Sequence, residues 1–301
     1  MIIPADIPQN MHATFQQNYN AITKNTDLSG TDLSGTHSSG SEKLFLFAGD
    51  HKLEKLNQIN PERFFELAAE PEIGCFATHL GLIARYGKQY PNVNYIVKLN
   101  GKSNLLKTLT GSGWNSGNPN ILQDPLSRQL WNVDDVVSFQ KNSGLNIRGV
   151  GYTVYLGSSF EAEMLKEAAQ MVFQAHQHGL VAILWMYPRG YSVYDDLDGD
   201  VIAGAAGVAA ELGADFVKVK IPRPSRTSAE YLQKAVQSAG NTKVICSGGE
   251  KENAEDFLAE IEHQLTKGGI AGCAVGRNIF EHELPQAKEM IKKLGKLIHG
   301  K

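Results

Sequence analysis

From Lys43 onward the chain alternates between short apolar runs and longer stretches with helical spacing. The runs fall at 43–49 (KLFLFAG), 73–78 (IGCFAT), 93–99 (VNYIVKL), 147–155 (IRGVGYTVY), 180–187 (LVAILWMY), 214–221 (ADFVKVKI), 242–247 (TKVICS) and 270–276 (IAGCAVG). They are rich in β-branched and aromatic residues, as strands are. Between them, 159–178, 197–212, 226–239, 251–267 and 284–298 repeat apolar residues at three- and four-residue intervals, the period of a helix with one buried face. Gly179, Gly213 and Gly240 close three of these stretches, where left-handed C-caps are expected. Eight strands alternating with helices predict the α/β class. Eight units favour closure into a parallel (β/α)8 TIM barrel, with a doubly wound open sheet as the rival.

Two segments break this rhythm. Residues 1–42 read as an N-terminal extension, partly flexible, ahead of a catalytic barrel over 43–301. Within it 9–24 is expected to form a helix outside the main domain. Leu28-Ser29-Gly30-Thr31 recurs as Leu33-Ser34-Gly35-Thr36 and runs on into His37-Ser38-Ser39-Gly40-Ser41. Such small polar residues bury little surface and predict a flexible loop. Gly101 to Trp131 is rich in Gly, Asn and Ser and too long for an ordinary connection. A lid, an interface arm and a mobile insertion are the alternatives there.

Composition narrows the class of function. Lys and Arg number 29 against 32 Asp and Glu, a formal net charge of −3 over 301 residues. That balance argues against nucleic acid held through its backbone. No apolar run approaches the ~20 residues needed to span a bilayer, so no membrane partner is expected. The N-terminus has no basic head and no long apolar stretch, unlike a secretory signal. Cys75, Cys246 and Cys273 each sit in a strand-like run, none in a CxxC pair. A disulfide scaffold and a zinc site are therefore not expected, and a reducing cytoplasm is.

In a barrel the active site lies at the C-terminal ends of the strands, which directs attention to a few residues. On the sixth strand Phe216, Lys218 and Lys220 share one face and Val217 and Val219 the other. The valines suit the outer layer, so the lysines point inward. An inward lysine loses hydration and feels neighbouring cations, and both favour the neutral amine. A neutral amine attacks a carbonyl to form a Schiff base. Parity does not rank Lys218 against Lys220, and an edge strand with two solvated lysines is the plain alternative. On the fifth strand Trp185 and Tyr187 share a face. An inward tyrosine can pass a proton if a cation lowers its pKa from about 10, while core packing is the commoner fate of a buried tyrosine. Asp50, ending the first strand, suits a substrate hydroxyl, a counter-charge for the lysines or a turn cap. His51, one step along, points elsewhere. Lys98 ends the third strand and lines the site or the surface. Ser247-Gly248-Gly249 and Gly276-Arg277 end the last two strands. Glycine there lets backbone N–H groups approach an anion, and barrels often bind phosphate between these loops. Ser158 and Ser159 lack a recognisable nucleophile elbow, and Gly149-Val150-Gly151 lacks the context of a dinucleotide fingerprint.

Taken together, Gly49-Asp50-His51, Lys98-Leu99-Asn100-Gly101-Lys102, Gly151-Tyr152-Thr153-Val154-Tyr155, Trp185-Met186-Tyr187-Pro188-Arg189-Gly190, Gly213 through Lys220, Ser247-Gly248-Gly249 and Ala274-Val275-Gly276-Arg277-Asn278 resemble the archaeal-type class I fructose-bisphosphate aldolases, a family also found in bacteria. The matches keep the family's order over roughly residues 43–298. The resemblance implies a metal-free barrel lyase without cofactor that binds a phosphorylated sugar as an imine. It implies a homo-oligomer, working in glycolysis or gluconeogenesis. By position it makes Lys218 the Schiff-base lysine, Tyr187 the proton-transferring tyrosine, Trp185 the residue that orients substrate and Asp50 a substrate contact. Ser247, Gly248, Gly249, Gly276 and Arg277 match the phosphate loops; Arg189, Lys220 and Lys98 would complete the binding site. There are departures: Leu156 stands where the family often has Pro after Tyr155, and Glu250 where it usually has Pro after Gly249. A carboxylate at 250 would weaken phosphate binding if it pointed inward. Related frames run other reactions, so three alternatives accompany the aldolase. They are an imine-forming transfer enzyme (transaldolase-like or heptulosonate synthase-like), a thiolase on a phosphorylated diketone, and a flavin- or metabolite-binding barrel.

Overall fold

Eight parallel strands close on themselves into a barrel in the computed structural model, which describes residues 1–24, 42–54, 58–103, 124–223 and 227–300. The strands are β1 (Leu44–Ala48), β2 (Cys75–Thr78), β3 (Tyr95–Lys98), β4 (Ile147–Leu156), β5 (Val181–Pro188), β6 (Phe216–Val219), β7 (Lys243–Ser247) and β8 (Gly272–Val275). Each pairs with its neighbours in sequence, and β1 pairs with β8, Leu44 opposite Gly272 through Phe47 opposite Val275. That last pairing excludes the open sheet. The expected helices follow as Glu161–Gln177, Gly199–Glu211, Ser228–Ala239, Ala254–Thr266 and Leu284–His299. Pro61–Ala68, Leu80–Tyr86 and Val133–Ser143 cover the first half of the barrel. Gly179, Gly213 and Gly240 take positive φ of 65°, 81° and 56°, as expected where those helices stop. Among the described residues no helix is long and apolar enough to cross a membrane.

Two apolar clusters follow from strand parity. Leu44, Leu46, Ala77, Ile96, Ile183, Phe216, Ile245 and Ala274 fill the barrel. Phe45, Phe47, Phe76, Val97, Leu184, Val217 and Val244 face the helices. Side chains point alternately in and out, so a run apolar at every position serves both layers at once.

The helix expected over 9–24 spans His12–Thr23, and it lies against the barrel rather than apart from it. Phe15, Tyr19 and Ile22, spaced for one helix face, join the interior cluster. Tyr19 stacks on Phe216, ring centroids 5.3 Å apart, two residues below Lys218. Asn18 donates from Nδ2 to the Gly179 carbonyl at 2.8 Å. The segment before the helix is pinned by buried His176, with Asp6 Oδ2 at 2.7 Å on one ring nitrogen and Asp215 Oδ2 at 3.3 Å on the other. The flexible loop expected near 28–41 and most of the 101–131 insertion lie outside the described residues. At the insertion's stems, Asn100–Gly101 pair antiparallel with Arg128–Gln129. Asp124 accepts the N–H groups of Ser159 at 2.5 Å and Tyr191 at 2.9 Å, tying one stem to the loops after β4 and β5.

Candidate active site

Strand parity sends four of the expected residues into the barrel mouth. Lys218 is only 7% exposed, at the end of β6. Its Cα partner on β5 is Trp185, itself fully buried, and its Nζ lies 5.8 Å from the indole centroid. Lys98, from β3, is 1% exposed and comes over the same indole at 4.2 Å. Both inward lysines thus approach the Trp185 indole, Lys98 the nearer, over its electron-rich face. Room for the indole comes from Gly151 on β4: a β-carbon there would stand 2.2 Å from Trp185 Cζ3. Trp185 Nε1 is buried without a hydrogen-bond acceptor among the described residues.

Asp50 is the counter-charge. Its Oδ2 lies 3.7 Å from Lys98 Nζ and its Oδ1 3.7 Å from His51 Nδ1. Burial alone would raise its carboxyl, but Lys98, His51 and Lys218 outweigh burial and hold it down to about 2. Asp50 is therefore ionised across the physiological range. Lys98 Nζ also donates to Thr153 Oγ1. His51 turns back against Phe280, centroids 5.0 Å apart. His79, at the end of β2, places Nδ1 3.1 Å from the Lys98 carbonyl. Burial, with the Lys98 ammonium adding to it, pushes this imidazole down to about 4 against the pull of Asp50.

Six of the remaining expected residues line a cleft of about 850 Å³ beyond the ends of β5 to β8, and Tyr187 and Gly276 are not among them. Ser247, Gly248 and Gly249 line it, with Arg277, Arg189 and Lys220. Gly248 N–H is engaged by the Ala274 carbonyl at 2.9 Å, and Gly249 has φ +67°. A β-carbon on Gly276 would stand 2.9 Å from the Ala48 carbonyl oxygen, so the chain passes there without a side chain. Arg189 lies with its guanidinium 5.9 Å from the Tyr155 ring centroid. Tyr187 is half-buried opposite Tyr155 and packs against both apolar clusters.

Lys218 and Lys220 part company despite their shared parity. The strand ends at Val219, and Lys220 reaches the cleft, where it pairs with Asp196. Three contributors escaped the sequence reading. Thr153 carries the same inward parity as Gly149 and Gly151, which offered a signal. His79 has only its strand-end position to mark it. Asp196, in a loop, has no local signal at all.

A buried lysine at a barrel strand's end, in the field of an ionised carboxylate and near a cleft that carries Arg189, Lys220 and Arg277, defines a class of barrel whose chemistry runs on a lysine amine. The chain belongs to the DeoC/LacD aldolase family, whose model matches residues 41–282. It is 42% identical over 299 residues to the fructose-bisphosphate aldolase/6-deoxy-5-ketofructose 1-phosphate synthase of Methanocaldococcus jannaschii, covering 96% of this chain and 87% of that one. Among solved structures, a fructose-bisphosphate aldolase from Slackia heliotrinireducens superposes with a TM-score of 0.86 at 38% identity, over 100% of this chain and 90% of the other. An archaeal fructose-1,6-bisphosphate aldolase, solved with its catalytic Lys covalently bound to the carbinolamine intermediate, does so at 0.74 and 27%, over 95% and 100%.

Proposed function

We propose that this protein is a class I fructose-bisphosphate aldolase, and that Lys218 carries the imine. The observation that carries the reading is Lys218 itself. It is a 7% exposed amine at a strand end, on the wall of a mouth that also holds ionised Asp50, with Arg189, Lys220 and Arg277 lining the adjacent cleft. The amine of Lys218 attacks the C2 carbonyl of fructose 1,6-bisphosphate. The carbinolamine loses water to give an iminium. Tyr187 takes the proton of the C4 hydroxyl, the C3–C4 bond breaks and its electron pair passes into the iminium. Glyceraldehyde 3-phosphate leaves. The enamine takes a proton at C3, and water releases dihydroxyacetone phosphate and restores Lys218. Asp50 and the unpartnered Trp185 Nε1 meet substrate hydroxyls. Ser247, Gly249, Gly276 and Arg277 hold the phosphate next to the ketone, and Gly248, its N–H engaged by the Ala274 carbonyl, shapes the loop; Arg189 and Lys220 face the far end of the sugar.

The double name of the M. jannaschii relative supports a second reading, in which the same enamine is passed to another acceptor aldehyde. Product analysis with a panel of acceptors separates the two. A reducing cytoplasm suits the three buried free thiols, Cys75, Cys246 and Cys273. Assembly into a homo-oligomer belongs to the same reading, and light scattering on the full chain tests it.

Mass spectrometry after borohydride reduction in the presence of dihydroxyacetone phosphate tests the central step. A reduced adduct on Lys218, absent from folded Lys218→Met together with turnover, is the expected result. Turnover surviving in Lys218→Met, or no adduct on the intact protein, overturns the assignment.

A further inference from the structure

Glu250 stands directly after the glycines of the β7 loop, and its carboxylate faces Arg277. Its Oε1 lies 3.2 Å from Arg277 Nη1. The loop is held in that position from behind. Asn278, the residue after Arg277, donates from Nδ2 to the carbonyls of Gly248 and Glu250, each at 2.7 Å. Its Oδ1 accepts the N–H of Glu252 at 3.0 Å. Lys251 is occupied elsewhere, its Nζ on the Glu281 carbonyl at 2.9 Å.

The two partners differ in exposure. The Arg277 side chain is 22% exposed and that of Glu250 is 85%. A sheltered guanidinium gains from a counter-charge, while an exposed carboxylate keeps most of its hydration and leaves at little cost. The same arrangement recurs within the cleft at Lys220, which is held by Asp196.

We infer that Glu250 is a built-in competitor for the anion-binding arginine, and that it sets the anion affinity of the site. It neutralises and orients Arg277 while the cleft is empty, and the substrate phosphate displaces it. This rests on the proposed reading of the cleft as a phosphate cradle. Displacement of one resident carboxylate raises the Kd of every anion by the same factor, and whatever charge stays near the bound ligand opposes a dianion more than a monoanion. Glu250 thus lowers affinity for every anion at Arg277 and sets how tightly the cleft holds phosphate.

The test compares Glu250→Gln and Glu250→Ala with the wild-type full chain. Calorimetry gives the Kd of inorganic phosphate and of acetate, and steady-state kinetics gives KM for fructose 1,6-bisphosphate. In both variants the phosphate Kd and the KM are expected to fall about two- to fivefold, the range of exposed ion pairs. Phosphate is expected to gain at least as much as acetate, and both gains to shrink in high salt. Phosphate Kd and KM that stay unchanged or rise in both variants overturn the inference, as does a wild-type protein that binds no phosphate. Borohydride trapping on Lys218 keeps the two readings apart. An adduct with unchanged constants removes the role of Glu250 alone, whereas no adduct removes the aldolase reading whatever the Kd values do.

Discussion

A methyl group at position 151 has nowhere to go. Gly151 lies on β4 opposite Lys98 of β3, and its missing side chain is the space that the Trp185 indole occupies. In Gly151→Ala the β-carbon would stand 2.2 Å from Cζ3 and 2.8 Å from Cη2. Restoring ordinary contact requires the ring edge to retreat by about 1.2 Å, or the strands to spread by as much. The indole has little freedom, being only 2% exposed, with Lys98 Nζ 4.2 Å from its centroid. Overpacking of this kind costs about 1–3 kcal/mol. For a domain of this size that lowers Tm by about 2–6 °C. The catalytic effect is larger, because a shift of about 1 Å in a positioned group costs on the order of a hundredfold in rate. Thermal denaturation, turnover of fructose 1,6-bisphosphate and the yield of borohydride adduct on Lys218 measure the three consequences. Gly149→Ala is the comparator. Its β-carbon would meet the Val181 carbonyl oxygen at 2.3 Å, deeper in the barrel and away from the indole. It is expected to lose stability with a smaller loss of turnover. A Gly151→Ala protein that melts and turns over like wild type refutes the reasoning.

Three further outcomes follow from the same geometry. Lys98→Met leaves the Asp50 carboxylate buried without its main partner. It is expected to cost roughly 3 kcal/mol in urea unfolding at pH 7, and less as the pH falls and protonation relieves the unpaired carboxylate. Tyr187→Phe removes the proton acceptor but not the amine, so turnover is expected to fall about 10²- to 10⁴-fold while the borohydride adduct with dihydroxyacetone phosphate still forms. His79 has its folded pKa depressed to about 4, below an unfolded value near 6.5. The unfolded chain therefore binds the extra proton between those values, and this residue's contribution to stability falls as pH drops through that window. The loss is about 2 kcal/mol between pH 7 and pH 5, and His79→Gln is expected to flatten the acid limb of the stability profile by that amount. An unflattened limb rules out a neutral buried imidazole at position 79.

Much of the architecture was legible because its signals are local. Strand parity placed Lys218 and Trp185 inside with Phe216, and Val217 and Val219 outside, and the packed clusters have them there. Helix-ending glycines stood where the backbone turns to positive φ. The glycine loops after the last two strands were legible from composition and position together, and Ser247, Gly248, Gly249 and Arg277 from them line one cleft. The site's wiring was not legible. Lys98 meets Thr153 across 55 residues, Lys220 meets Asp196 across 24, and Arg277 meets Glu250 across 27. No period connects such pairs, because each depends on which strand ends and loops closure brings side by side.

The sequence by itself determined the alternation of elements, the inward face of each strand and the residue types available at the barrel mouth. These follow from the 2.0 and 3.6 residue periods and from glycine's conformational range, all properties of neighbouring residues. Tertiary structure alone decided the rest. It separated Lys218 from Lys220, because the strand ends between them and only the first stays in the interior. The helix His12–Thr23 carried an apolar face legible in its spacing, but the surface it covers exists only once the barrel closes and leaves an apolar floor open to water. The charge states follow last. Asp50 and His79 titrate far from their ordinary values because burial and neighbouring cations act together on them, and both are set by contacts the chain makes only when folded.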